Sequence, residues 1–236
     1  DFLWPKGNSW FLVYADNQAN PKAIVYALGR SATTDKLHVI KAIKAIEHIS
    51  RESKIPLFKI IFNDGDDVNI NSVYVEGPND SGGAEVELSV LKEMFSEVGI
   101  PVKSGRCEKA INSAASSAYH LWQRDQLGSI VVSDIDLLRI DINSGLPTEI
   151  LELKRSFYDL SDWQPYPNDY PNFDVLVKIS KPARMNFAIL YNKRSKNPWC
   201  DDPSQVRIFN YDINTTPQAL GIMSFDEFIN GNYGKT

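Results

Sequence analysis

Charged side chains, Asp134, Asp136, Glu152 and Lys154 among them, stand inside a stretch that otherwise reads as β structure. Residues 130–156 run IVVSDIDLLRIDINSGLPTEILELKRS. Two apolar, β-branched runs flank Asn143-Ser144-Gly145, which has the chemistry of a hairpin turn. Side chains alternate faces along a strand, so Asp134, Asp136, Leu138 and Ile140 share one side of the first arm. Ile150, Glu152 and Lys154 share one side of the second. Closing the hairpin symmetrically about Ser144 sets Asp136 opposite Glu152 and Asp134 opposite Lys154. Three carboxylates and an ammonium then meet on one patch. Burying such groups unpaired costs several kcal/mol, so arms that were simply core would not carry them.

This constellation resembles the PD-(D/E)XK nuclease superfamily, whose fold is called restriction-endonuclease-like. The family signature is an acidic residue on one strand and Glu-x-Lys on the adjacent strand, preceded by a helix. The matching residues are Ser133-Asp134-Ile135-Asp136-Leu137-Leu138 and Leu151-Glu152-Leu153-Lys154. Ser-Asp-Ile-Asp stands where the family has Pro-Asp. Both aspartates are therefore candidates, and the hairpin symmetry favours Asp136. The resemblance implies an α/β fold, with a mixed central sheet flanked by helices. It also implies metal-dependent hydrolysis of phosphodiesters in DNA, by an endonuclease of the restriction, repair or phage-defence kind. Mg2+, or Mn2+ in its place, would be held by Asp136 and Glu152. Lys154 would orient the attacking water and stabilise charge on the phosphate. Asp134 would be a further ligand or an ion-pair partner of Lys154. The first core helix would add an acid, Glu87 in first place and Glu85 in second.

The same residues fit other readings. One is a nuclease fold retained only to bind nucleic acid. Another is an α/β interaction domain whose acidic hairpin meets a partner protein. Plain cross-strand ion pairs on a solvated hairpin would leave the same pattern.

The elements that would position these residues divide at residues 77–83, GPNDSGG, which are rich in turn formers. Residues 1–78 read as an N-terminal β-β-α-β-β element for recognition or partner binding, and 79–236 as the nuclease-like core. Strands are expected at 10–15, 23–28, 57–62 and 68–75. A helix capped by Thr33 or Thr34 would run to Ser50, with Val39, Ile40, Ile43, Ile46 and Ile49 facing a sheet. The acidic run at 63–67 lacks EF-hand spacing and reads as a polar turn. In the core, helices are expected at 84–98, 107–126, 173–180 and 225–229. Strands are expected at 100–102, 187–192 and 206–211. His120 and Trp122 read as packing residues. Residues 157–173, FYDLSDWQPYPNDYPNF, read as a loop or lid beside the site, whose aromatics either stack on bases or wedge into a groove, or else plug the edge of the sheet. The nucleic-acid contacts expected are Arg155, Trp163, Tyr166, Lys193 and Arg194.

Composition bounds these readings. The chain has 236 residues, 43% hydrophobic and 23% charged, long enough for a substantial core. Its net charge of −5 argues against indiscriminate coating of nucleic acid. The charge is uneven: residues 51–100 carry a net of −6, and residues 151–200 a net of +3. No apolar run approaches the roughly 20 residues of a membrane span. No secretory signal is visible at the start, and Cys107 and Cys200 suggest no disulfide framework, so a reducing cytoplasm is expected. DNA is the expected partner, with no membrane. A homodimer and a partner protein at the N-terminal element are left open.

Overall fold

The computed structural model describes residues 1–65, 70–78, 82–103, 118–128, 130–231 and 233. The chain is mixed α/β, with two six-stranded mixed sheets and, among the described residues, five α-helices. Sheet A is ordered β1 (Phe2–Leu3), β8 (Leu137–Ile140), β9 (Pro147–Ser156), β10 (Asn186–Lys196), β11 (Trp199–Asn210) and β12 (Gln218–Ser224). Sheet B is ordered β6 (Ala84–Glu87), β5 (Ser72–Glu76), β4 (Leu57–Phe62), β3 (Pro21–Gly29), β2 (Ser9–Ala15) and β7 (Val131–Asp134). The helices are α1 (Lys36–Ser53), α2 (Leu88–Glu97), α3 (Ala118–Gln126), α4 (Tyr170–Ser180) and α5 (Phe225–Ile229).

Each sheet holds one parallel pair bridged by a helix. β3 and β4 are joined through α1, and β9 and β10 through α4. Both helices lie between the sheets, in one apolar cluster. It takes Phe11, Val13 and Ile24 from sheet B, Ala45, Ile46 and Ile49 from α1, Phe173, Leu176 and Ile179 from α4, and Ile150, Ile189 and Tyr191 from sheet A. A second cluster sets α2 and α3 on the far side of sheet B, through Leu91, Phe95 and Tyr119. A third sets Phe228 of α5 on the outer face of sheet A, against Leu151, Leu190 and Ile208. Helices on both faces explain why β2 and β3 read as unbroken apolar runs rather than alternating ones.

Two sheets thus replace the expected single central sheet. Residue 78 does not separate them: β5 and β6, on either side of it, are hydrogen-bonded neighbours. Strand β1 joins sheet A and β7 joins sheet B, so each sheet draws on both ends of the chain.

Several elements differ from expectation, each for a local reason. Helix α1 is capped by Asp35, whose carboxylate accepts the His38 N–H at 3.1 Å. Its buried stripe is Ala42, Ala45, Ile46 and Ile49, while Ile40 is 63% exposed. The helix expected at 84–98 splits. Residues 84–87 alternate and pair with β5, and α2 begins only at Leu88. Residues 100–102 are not a strand. Of the helix expected at 107–126, residues 118–126 are helical as α3, and the remainder, with Cys107, lies outside the described residues. So do Asp66 and Asp67 of the acidic turn. In α3, His120 packs edge-on against Trp10 with ring centroids 4.5 Å apart. Strand β12 has no counterpart in the sequence reading.

Candidate active site

The first arm of the expected hairpin is two strands. β7 pairs with β2 in sheet B, with Leu12 opposite Asp134, and the chain then crosses to sheet A as β8. Ile135 makes the crossing fully buried, its N–H bonded to the Phe11 carbonyl at 2.8 Å. Asp134 is therefore not opposite Lys154, and its side chain is exposed. Two sheets compete for this segment, and sheet B takes the Asp134 half.

The second half keeps the symmetric register. Leu137 lies opposite Leu151, Leu138 opposite Ile150 and Arg139 opposite Glu149, and only at Ile140 does an irregularity intervene. Asp136 stands one step beyond the last of these pairs, next to Glu152. Its carboxylate accepts the Leu153 N–H at 2.8 Å, which anchors it at the end of the ladder.

Glu152 and Lys154 point to the face of β9 that meets α4. The Lys154 ammonium lies 2.9 Å from Glu152 Oε1 and 3.5 Å from Asp169 Oδ2, and 5.5 Å from the centre of the Phe173 ring. Asp169 closes the short 3-10 turn Pro167–Asp169 that leads into α4. Two carboxylates thus grip one ammonium, with a third, Asp136, close enough to act on both. Sequence reasoning missed Asp169. It lies in the lid, and nothing in the local pattern brings that turn back over β9.

Electrostatics mark the cluster as frustrated. Glu152 is 8% exposed. Burial first, then the charge of Asp136, pushes its pKa up to about 8, against the pull of Lys154. Burial also raises Asp136, opposed by the Leu153 N–H and the charges of Lys154 and Arg155. Burial would lower Lys154, but Glu152, Asp169 and Asp136 outweigh it and hold the ammonium charged. The negative charge exceeds what one lysine neutralises. Such a pair gains from a proton or from a cation.

The donor set suits Mg2+, a hard cation that takes one or two carboxylates and fills its remaining positions with water and phosphate oxygens. Among the described residues, no three His, Cys, Asp or Glu side chains lie close enough to hold a metal together, so the acids available are the pair Asp136 and Glu152. Glu87 is not among them. It stands exposed at the end of β6, on the edge of sheet B opposite β7, and precedes α2. Glu85 sits on the same edge strand and accepts the Ser72 hydroxyl at 2.6 Å. The amphipathic pattern of 84–98 hid this strand.

The loop of residues 157–169 is pinned by contacts to β10 and β11. Arg207 Nη1 donates to the carbonyls of Leu160, Ser161 and Trp163 at 2.9, 2.7 and 2.9 Å. Trp163 stacks flat on Tyr191, 4.2 Å between centroids, and is 3% exposed, so it packs the lid and is unavailable to a base. Tyr166 is half exposed. Arg155 and Arg194 both engage Asp201, and Lys193 pairs with Asp159.

No family model and no curated protein matches the chain. Two solved structures align over most of its length. One is a sex pheromone precursor from Lactobacillus salivarius subsp. salivarius UCC118, at 6% identity over 90% of this chain and 65% of that one, with a TM-score of 0.19. The other is the C-terminal domain of a sex pheromone precursor from Staphylococcus aureus, at 11% identity over 91% of this chain and 70% of that one, with a TM-score of 0.17. At these TM-scores neither carries an argument about fold or function. No helix among the described residues is long and apolar enough to cross a membrane.

Proposed function

We propose that the chain is a metal-dependent endonuclease acting on DNA, with Asp136, Glu152 and Lys154 as its catalytic residues. The observation that carries this reading is the register of β8 and β9. It sets Asp136, one step before β8, beside the Glu-x-Lys pair of β9, in a cluster whose carboxylates are under-neutralised. A nuclease of the PD-(D/E)XK kind needs that set.

Asp136 and Glu152 would hold Mg2+ or Mn2+, which supplies Lewis-acid polarisation of the scissile phosphate. Asp136 is fixed for this by the Leu153 amide, and Glu152 by its place inside the sheet. Lys154 donates a hydrogen bond to the phosphate oxygen on which charge accumulates, and helps to hold the attacking water. Asp169 positions Lys154 from the other side, so the ammonium would keep a partner if Glu152 held a metal. Water adds to phosphorus, the ester P–O bond breaks, and the leaving oxygen takes a proton.

Incubation of supercoiled plasmid with the protein and Mg2+ tests the proposal. Nicked and linear products that vanish with EDTA are expected. An inert protein that also shows no heat of Mg2+ or Mn2+ binding would remove it, and would favour the interaction-domain reading.

A further inference from the structure

Beyond Lys154 the two parallel strands β9 and β10 run out of the body of sheet A into an arm formed with β11. From Trp199 to Gln205, every residue of β11 is exposed. Arg155 lies on the opposite face of β9 from Lys154, because successive side chains alternate. It meets Asp201 at 3.7 Å, and Asp201 is held by Arg194 in a two-pronged pair. The Arg194 guanidinium lies 4.9 Å from the centre of Trp199, and the Lys196 ammonium 4.6 Å from the centre of Phe157. The two rings meet edge to face at 5.7 Å. Trp199 is nevertheless 64% exposed and Phe157 44%. In this small patch three cations, Arg155, Arg194 and Lys196, face one acid, Asp201, on a chain of net charge −5.

Exposed rings interleaved with cations suit one occupant in particular. Bases present flat π-faces to the rings and phosphates meet the cations, without need of a sequence code. In a duplex those faces are stacked on one another, so an unpaired strand is the form that fits. We propose that the Phe157–Trp199 arm binds a single-stranded nucleic-acid segment next to the cleavage site. This rests on the nuclease reading for its choice of occupant. β8 leaves the ladder at Leu137, so no described strand borders Lys154 to Ser156 on that side of β9, which leads from Lys154 to the arm.

Fluorescence anisotropy with a labelled oligo(dT) of roughly 20 nucleotides, in EDTA and low salt, reads binding without cleavage. The wild type should bind the oligonucleotide more tightly than it binds a duplex of the same length. Trp199→Ala should weaken binding about tenfold, Phe157→Leu less, and Lys196→Ala should reduce the salt dependence. Trp199 emission should be quenched by the oligonucleotide. No binding at low salt, equal binding by Trp199→Ala, or a preference for the duplex would overturn the proposal. Oligonucleotide binding that depends on Trp199, in a protein that neither cleaves DNA nor binds Mg2+ or Mn2+, would uphold the arm and remove the nuclease reading.

Discussion

Glu152 is a carboxylate held where charge is poorly tolerated, and its titration has a definite sign. In the unfolded chain a glutamate ionises near pH 4.5, while here burial and Asp136 delay ionisation to about pH 8. Between those values the unfolded state releases a proton that the folded state keeps, so stability falls as pH rises through the window. Glu152→Gln removes that cost. Its melting temperature at pH 8 should exceed that of the wild type by several degrees, since each pKa unit corresponds to about 1.4 kcal/mol, and the gap should close near pH 4. Equal melting at both pH values would mean that the site tolerates the charge. Asp169 gives a second prediction at this scale. Its pair with Lys154 is partly exposed, so Asp169→Asn should barely move the melting temperature. Cleavage should drop about tenfold in kcat, with KM little changed and with rescue by Asp169→Glu. Normal kcat in Asp169→Asn would show that Lys154 needs only Glu152.

At the scale of elements, helix α3 carries its own pH signature. His120 lies against Trp10, and burial alone lowers its pKa to about 4. An unfolded histidine gains its proton near pH 6.5 while the folded one stays neutral, so this contribution is complete above pH 6.5 and is lost as pH falls towards 4. His120→Phe should flatten the acid limb of the stability curve, worth about 3 kcal/mol for the full shift. An unchanged acid limb would contradict it. The β8–β9 register was legible in the sequence because a period of two and a central turn leave few alternatives. The split at Ile135 was not, because what pulls Asp134 away is β2, more than a hundred residues earlier in the chain. Glu87 was misread because Leu88, Leu91 and Phe95 do form a buried helical stripe, which outweighed the short alternation Ala84-Glu85-Val86-Glu87. β12 escaped notice because Gln-Ala-Leu-Gly-Ile-Met-Ser offers neither an apolar run nor a clean alternation, and only its ladder with β11 makes it a strand.

Across the whole molecule, sheet A is tied together by contacts between the chain ends that no local pattern announces. Arg139 donates to Glu149 at 3.0 Å, to the carbonyls of Phe228 and Ile229 and to the Tyr233 hydroxyl, and it lies over the rings of Phe2 and Phe228. Strand β1, the hairpin and α5 converge on this one guanidinium. Arg139→Met would leave Glu149 buried without its cation and should cost about 3–5 kcal/mol, a fall of some 10 °C for a chain of this size. Cleavage by the surviving folded fraction should persist, because Arg139 stands on the part of the hairpin away from Lys154. The chain is α/β as the order of elements in the sequence led us to expect, and the layering of two sheets around α1 and α4 lay beyond that reading. The central claim concerns Asp136, Glu152 and Lys154, and the most direct measurement compares plasmid cleavage by the wild type, Asp136→Asn, Glu152→Gln and Lys154→Ala, with melting curves recorded in parallel. Each variant should lose at least ~100-fold in rate while remaining folded. A folded Lys154→Ala or Glu152→Gln protein that cleaves at the wild-type rate would contradict the account.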